Sequence, residues 1–233
     1  MYRSLLYVPA SNQTFVAKAA ERGADAIILD LEDSIAPSDK GAARAALAKA
    51  VPQVGRAGAD VLVRVNRPIR QCLPDIESAI QAGASGVLLP KTESADHVRL
   101  IVEAMDDIER EDGITEPTRL FVIIEDPAAV LRAGEIIAAD SRVAGAMAGG
   151  EDLATALDAE PVPETLRIPK LLVHMAAKAA GRYSFGLLGT VADYSDQDGM
   201  TALITDAPRH GSEAASCIHP AVVPLQNSGF APS

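Results

Sequence analysis

The chain has 233 residues, of which 48% are hydrophobic, and its formal net charge is −11. This length and apolar content are enough to bury one large core, and the negative charge disfavours binding to nucleic acid or to anionic membranes. An anionic substrate would therefore need a local positive element, either Arg and Lys side chains or a bound cation.

Eight short apolar runs alternate along the chain with longer segments of helical spacing. The runs occupy residues 4–9, 26–33, 61–66, 86–91, 120–126, 143–150, 183–188 and 217–220. The helix-like segments occupy residues 11–22, 38–51, 70–82, 94–110, 128–139, 164–180 and 196–210. Apolar strands that alternate with helices are typical of parallel strands covered by helices.

Eight such units predict an α/β fold of the TIM (β/α)8 barrel class, as a single domain over residues 1–233. An open doubly wound sheet is the alternative, but no G-x-G-x-x-G sequence follows an early strand. Only 13 residues follow Pro220, and two of them are proline. We therefore expect a barrel that lacks a full C-terminal eighth helix, either capped by another chain or compact by itself.

Several helix ends are marked by capping residues. Ser94 precedes a helical segment and is a candidate N-cap, and Ser11 or Asn12 is the candidate for the first helix. Gly23 and Gly83 each follow an Ala-rich segment, where a left-handed residue is expected to end the helix.

Cysteine content and hydropathy indicate where the protein is expected to function. Cys72 and Cys217 make neither a disulfide framework nor a zinc knuckle, so a reducing cytoplasmic environment is expected. The N-terminal run that ends at Pro9 lacks the basic leader and long apolar segment of a signal peptide. No stretch approaches the roughly 18–20 apolar residues of a membrane helix. We therefore expect no membrane and no nucleic acid among the partners.

Most apolar runs end in polar or charged residues on their C-terminal side. These residues are Asp30, Glu32 and Asp33 at the second run, Arg64 and Asn66 at the third, Lys91 at the fourth, Glu125 and Asp126 at the fifth, Gly149 to Asp152 at the sixth, and His219 at the eighth. The C-terminal ends of barrel strands open on one face, and active sites lie there. We therefore expect these residues to form one acidic pocket that contains an arginine.

Clustered carboxylates repel one another unless a positive group lies among them. Mg²⁺ takes oxygen ligands and typically uses one or two protein carboxylates. The four histidines lack the spacing of a transition-metal set, so ligand type favours Mg²⁺ over zinc. A single acid at a strand end is more often a helix N-cap or an exposed charge, but the repetition favours a site. Arg64 inside an apolar strand indicates either a functional group or a structural ion pair, since arginine is rarely buried unpaired.

Seven stretches occur together in an informative order and spacing. They are RSLLYVPASN (3–12), ADAIILDLEDSIAPSDKGAAR (24–44), VRVN (63–66), GVLLPKTES (86–94), IIED (123–126), GGEDLA (149–154) and IHP (218–220). This set resembles the citrate lyase beta-subunit-like branch of the HpcH/HpaI aldolase/citrate lyase family. The resemblance covers nearly the whole chain, and the combination is specific although no single stretch is.

The resemblance implies a Mg²⁺-dependent carbon–carbon lyase that is a homo-oligomer, a trimer or a hexamer. Its substrate would be a 3-hydroxyacyl-CoA thioester of the citryl-CoA, malyl-CoA or citramalyl-CoA type, cleaved to an acetyl thioester and a keto acid. Glu125 and Asp152 would be the metal ligands. Arg64, Glu125 and Gly150 would bind the substrate, and Arg64 would also be catalytic.

A general base must take the hydroxyl proton of the substrate in this reaction. Glu32 and Asp33 would line the same site, and both are candidates for the base. The residues alone do not choose between them.

The chain departs from the family pattern at three places. Asp126 stands where family members usually carry Thr after the metal-binding Glu. The seventh-strand region SFGLLGTVADY (184–194) differs where family members often show an acidic residue, and GSEAASC (211–217) lacks the lysine of a Gly-x-x-Gly-Lys stretch. These departures concern the acyl-carrier end and the identity of the substrate.

Two other functions are compatible with the sequence. A class II aldolase that acts on free 2-keto-3-deoxy acids belongs to the other branch of the family, but that branch normally offers an early histidine base, and no histidine precedes His97. A barrel that binds an acyl-CoA or a keto acid without turnover, as an accessory subunit, is the third possibility.

Overall fold

Eight parallel strands form one sheet that curls into a nearly closed barrel. The computed structural model describes residues 2–231. The strands are β1 (Ser4–Pro9), β2 (Ala26–Asp30), β3 (Asp60–Arg64), β4 (Gly86–Leu89), β5 (Arg119–Ile124), β6 (Val143–Ala148), β7 (Tyr183–Phe185) and β8 (Ala215–Cys217). Their order in the sheet is β7-β6-β5-β4-β3-β2-β1-β8. The predicted TIM-barrel class is confirmed.

The junction between β7 and β8 is the least bonded in the barrel. A single isolated bridge pairs Phe185 with Ala214. The Gly186 amide donates to the Ala214 carbonyl at 2.8 Å, and the Glu213 amide donates to the Ser184 carbonyl at 3.0 Å. By contrast, β1 and β2 pair over five residues. We call the β7–β8 junction the seam.

Helices cover the outside of the barrel. They are α1 (Gln13–Ala19), α2 (Lys40–Gly55), α3 (Ile69–Gln81), α4 (Ala95–Glu111), α5 (Pro127–Leu131), α6 (Ala133–Ile137), α7 (Gly150–Ala156), α8 (Pro163–Ala179), α9 (Gln197–Arg209) and α10 (Val223–Gly229). The last helix has only seven residues, which confirms the expected lack of a full eighth helix. Within residues 2–231, no helix has the length and apolar character needed to cross a membrane.

Strand side chains alternate between two apolar layers because successive residues of a strand point to opposite faces. The barrel interior is filled by the cluster Tyr2, Leu5, Ala26, Ile28, Leu62, Leu88, Phe121, Ile123, Met147, Phe185 and Ala214. Neighbouring strand positions, such as Leu6, Ile27 and Val61, belong to the larger layer beneath the helices. Each strand is therefore buried on both faces, as the near-continuous apolar runs indicated.

Two predicted elements end or break early, and one short helix lies where none was predicted. The second strand ends at Asp30, because the Asp30 carboxylate accepts the amides of Glu32 at 3.0 Å and Ser34 at 3.2 Å and turns the chain. The predicted helix 128–139 is interrupted at Arg132, which has the non-helical angles φ −113° and ψ 13°. The short helix α7 was not predicted, because its first two residues look like a glycine turn.

The predicted caps are confirmed. Asn12 accepts the Phe15 amide at 3.1 Å, and Ser94 accepts the His97 amide at 3.1 Å. Gly23 and Gly83 have φ angles of 72° and 79°, as expected of left-handed residues at helix ends.

Asp126 also acts as a cap. Its carboxylate accepts the amides of Ala128 at 2.9 Å and Ala129 at 3.1 Å, and Pro127 occupies the first position of α5. The acid that stands where the resemblance implied Thr is thus bound to the backbone of its own helix. Thr and Asp are both good N-cap residues, so the two types can serve the same end.

We expect Asp126→Ala to lower the free energy of unfolding by about 1 kcal/mol, because two amides of α5 lose their acceptor. Urea denaturation followed by circular dichroism measures this change. Asp39→Ala is the matched control, since Asp39 stands at the N-cap position of α2 without a capping hydrogen bond. Equal losses in the two variants would contradict the capping role.

Candidate active site

The alternation that fills the barrel interior also places polar groups at its C-terminal mouth. In five strands, the side chains that point into the barrel are apolar up to a last residue. The residue two positions after it then faces the barrel mouth. These residues are Tyr7 (β1), Asp30 (β2), Arg64 (β3), Glu125 (after β5) and Gly149 (after β6). They line a cavity of about 470 Å³.

Arg64 and Asp30 form a largely buried ion pair at this mouth. The strand register sets them opposite each other, and Arg64 Nε and Nη2 donate to the two Asp30 oxygens at 2.7 and 2.8 Å. Burial raises the pKa of Asp30, but the guanidinium outweighs burial and holds that pKa below its usual range. The Arg64 guanidinium also lies 4.9 Å from the centre of the Tyr7 ring, a cation–π contact.

Lys91 brings a second cation to the carboxylates of the β2 loop. Its ammonium forms an ion pair with Glu32 and lies 3.0 Å from an Asp152 oxygen and 3.8 Å from an Asp33 oxygen. Arg64 Nη1 lies 2.9 Å from Glu32 Oε2 and 3.1 Å from Asp33 Oδ2. The two cations are therefore shared among these three acids.

Glu125 is a buried acid with little local compensation. Its Oε1 accepts the Lys91 amide at 2.7 Å. Burial, reinforced by the charge of Asp152, raises the pKa of Glu125 to about 7. Gly149 lies opposite Glu125, because β5 pairs with β6 up to Ile124 and Ala148. A Cβ atom on Gly149 would overlap Glu125 Oε2, so only glycine leaves space beside this oxygen.

These groups fit a divalent cation with oxygen ligands. Glu125 and Asp152 repel each other, which a bound cation would relieve, and the missing Cβ of Gly149 leaves room at the Glu125 carboxylate. Within residues 2–231, no three His, Cys, Asp or Glu side chains are arranged as a metal cage. Two carboxylates are nevertheless a usual protein contribution to a Mg²⁺ site.

Lys170 on α8 reaches the same cavity. Its ammonium donates to the carbonyl oxygens of Leu187 at 3.0 Å and Gly189 at 2.6 Å. Burial lowers its pKa to about 8. A Cβ atom on Gly150 would lie 3.1 Å from Lys170 Nζ, so the glycine allows close approach of the ammonium.

The residues that were assigned roles lie around this one cavity. Arg64, Asp33, Glu125, Gly150 and Asp152 line it, and Glu32 lies behind them in contact with both cations. The roles assigned to them stay predictions.

Three of the strand-end residues expected at this cavity do not line it. Asn66 bonds to Asp75, Asp126 caps α5, and His219 accepts the Ala221 amide.

Sequence reasoning missed the contributions of three residues. Asp30 was predicted to lie at a strand end, but no role was assigned to it. The sequence did not distinguish a site residue from a solvent-exposed side chain at Lys91, and Lys170 was assigned only to a helix. The only signal for Lys170 is its position in an otherwise apolar stretch, between Pro169 and Leu171.

A pocket of paired acids and cations at the C-terminal mouth of a (β/α)8 barrel is the usual site of a TIM-barrel enzyme. The profile of the HpcH/HpaI aldolase/citrate lyase family matches residues 3–220, and the chain belongs to that family.

Relatives and a solved structure agree with this family. Citrate lyase subunit beta of Haemophilus influenzae is 31% identical over 235 residues, which cover 99% of this chain and 80% of that protein. The (3S)-malyl-CoA thioesterase of Cereibacter sphaeroides is 31% identical over 235 residues, covering 100% of this chain and 78% of that protein. The citrate lyase beta subunit of M. tuberculosis, complexed with oxaloacetate and magnesium, matches with a TM-score of 0.82 and 28% identity, over 99% of this chain and 97% of that one. The chain is a lyase of this family, similar to the citrate lyase beta subunit.

We expect Asp30→Asn to lower the free energy of unfolding by about 3 kcal/mol, because it leaves a buried guanidinium short of its main counter-ion. Urea denaturation measures this loss. The folded pKa of Asp30 is depressed, so its contribution is present above about pH 4 and is lost as the pH falls through the folded pKa. The difference between the variant and the wild type should therefore shrink in acid.

Asp96→Asn is the control for this prediction. Asp96 pairs with Arg99 at 2.7 Å, but both side chains are exposed. An exposed pair contributes less than about 1 kcal/mol. If the two variants lose the same stability, the Arg64–Asp30 pair contributes no more to folding than an exposed ion pair.

Proposed function

We propose that the chain is a Mg²⁺-dependent lyase that cleaves a 3-hydroxyacyl-CoA thioester into an acetyl thioester and a keto acid by retro-Claisen chemistry. The observation that carries this proposal is that two carboxylates that repel each other, those of Glu125 and Asp152, lie at the same barrel mouth as an arginine held in place by Asp30. The oxaloacetate and magnesium bound by one relative, and the acyl-CoA thioester in the name of another, support it.

Glu125 and Asp152 would hold the metal ion. When bound, Mg²⁺ would supply Lewis acidity toward the oxygens of the keto-acid half of the substrate. The backbone at Gly150 would contact the substrate, since Gly150 lines the cavity. Both acids are then matched by positive charge, which removes the repulsion between them.

Arg64 would stabilise the enolate of the leaving acetyl thioester. Cleavage breaks the bond between the hydroxyl-bearing carbon and the carbon next to the thioester, and the electron pair passes to the thioester carbonyl as an enolate. Asp30 holds the guanidinium through two hydrogen bonds, so the donor is in place before charge develops. Such fixed donors contribute about 10²–10³ in rate.

Asp33 would act as the general base that takes the substrate hydroxyl proton. Its side chain is 59% exposed and lines the cavity, whereas the Glu32 side chain is 8% exposed and lies between Arg64 and Lys91. Glu32 would instead orient the two cations. Of the two candidates left open by the sequence, only Asp33 thus combines access to the cavity with contact to Arg64.

We expect Glu125→Gln and Asp152→Asn each to weaken Mg²⁺ binding at least tenfold, because each removes a charged oxygen ligand. Mutation of residues that only hydrogen-bond to a metal ligand already lowers metal affinity by about 10–100-fold. Calorimetric titration with Mg²⁺ measures binding, and release of acetyl-CoA from citryl-CoA, malyl-CoA and citramalyl-CoA measures cleavage. Asp126→Asn is the matched control, since Asn keeps the helix cap and removes only the neighbouring charge. Full metal binding in both ligand variants would refute the assignment.

The products of this assay separate the other candidate functions. Release of free CoA with an intact hydroxy acid would indicate thioester hydrolysis, the activity named for the Cereibacter relative. Exchange of the pyruvate methyl protons without CoA would indicate the free-keto-acid aldolase. Tight binding with no product would indicate the accessory barrel.

We expect Asp33→Asn to lower kcat by about 10²–10⁴, because a general base contributes that much to the rate. Glu32→Gln should change KM more than kcat, since Glu32 contacts the cations and not the cavity. Steady-state kinetics distinguishes the two variants, because it measures kcat and KM separately. The opposite pattern would assign the base to Glu32.

A further inference from the structure

Lys170 differs from the other cations at the barrel mouth in having no acid partner. Arg64 is paired with Asp30, and Lys91 is paired with Glu32 and Asp152. Among the residues that the structure describes, Lys170 bonds to backbone carbonyls and forms no ion pair with a carboxylate. No carboxylate among these residues therefore contacts its ammonium.

The surroundings of Lys170 make an ammonium without a carboxylate partner energetically unfavourable. Leu187 and Gly189 use two of its three ammonium hydrogens. Glu151 is the acid whose charge acts on Lys170, but its carboxylate is bonded to the Thr190 hydroxyl. A sheltered charge is normally paired, and an unpaired one in a cleft indicates a place where an oppositely charged ligand binds.

Two consecutive glycines connect Lys170 to the candidate metal site. The missing Cβ of Gly149 faces the Glu125 carboxylate, and the missing Cβ of Gly150 faces the Lys170 ammonium. Consecutive Cα atoms are about 3.8 Å apart, so the two charged groups flank one peptide unit. Glu125 and Lys170 also line the same cavity, so a small molecule held at Glu125 has Lys170 within the space it can fill.

We propose that Lys170 is a specificity-determining residue whose ammonium binds a second carboxylate on the keto-acid half of the substrate. The enzyme would accordingly prefer a dicarboxylic keto acid to a monocarboxylic one. This inference rests on the proposed function for the presence of a keto acid in the cavity. An acyl-carrier phosphate could offer similar anionic oxygens, but the proximity of Lys170 to Glu125 favours the keto-acid end.

Two keto acids of equal carbon number test the proposal. Oxaloacetate has a carboxylate where 2-oxobutyrate has a methyl group, and calorimetric titration in the presence of Mg²⁺ gives a dissociation constant for each. The wild type should bind oxaloacetate at least about tenfold more tightly. Lys170→Gln keeps amide hydrogens for the two carbonyls but removes the charge, and it should reduce this preference about tenfold or more. Lys170→Arg restores a charge and should retain most of it.

Other results would overturn the proposal. Equal weakening of both keto acids in Lys170→Gln would assign the residue a purely structural role. A loss confined to acetyl-CoA, with S-acetylpantetheine unaffected, would assign it to a carrier phosphate. Thermal melting checks the fold of each variant. If Lys170→Gln does not fold, Gly150→Ala offers a second test, since its methyl group displaces the ammonium and should reduce the same preference. Binding needs no turnover, so a failed cleavage assay leaves this test intact.

Discussion

A guanidinium buried at the mouth of the barrel must keep its counter-ions, because an unpaired buried charge costs several kcal/mol. Arg64 meets this requirement through Asp30, and the same Asp30 carboxylate binds the amides of Glu32 and Ser34. The ion pair therefore fixes the loop after β2 as well as the arginine. Glu32 and Asp33 take their positions from that loop, so the geometry of the acidic pocket follows from one interaction between adjacent strands.

The strand pattern explains why so much of the site could be predicted from the sequence. Side chains of a strand alternate with a period of two, and parallel strands in register present the same layer at the same height. Asp30, Arg64 and Glu125 each follow, two positions later, an apolar side chain that points into the barrel. The sequence therefore predicted both the barrel class and the approach of these three residues to one another. Asp152 was readable from its place after the sixth run and from its motif, although the short helix on which it lies was not predicted.

Local sequence could not identify the contacts that depend on distant elements. Lys170 reaches carbonyls 17 and 19 residues away, and Lys91 reaches Glu32 across 59 residues. On a helix surface or after a strand, lysine usually reaches solvent, so the pattern favoured that reading. Asp126 shows the converse case. The sequence linked its charge to the identity of the substrate, whereas its carboxylate accepts the amides of residues two and three positions ahead.

The seam gives the barrel an edge that can open at low cost. Only a few hydrogen bonds join β7 to β8, so separating them there is the cheapest local opening of the sheet and leaves the Arg64–Asp30 pair intact. The chain that leaves β7 runs directly to the two carbonyls that Lys170 holds. The cavity is lined from both sides of the seam, by Gly186 and Leu187 after β7 and by Ser216 and Ile218 at β8. A ligand that fills it would bind the closed barrel better than the open one and would raise the free energy of opening. Substrate affinity and the resistance of the barrel to opening would thus be linked at the seam.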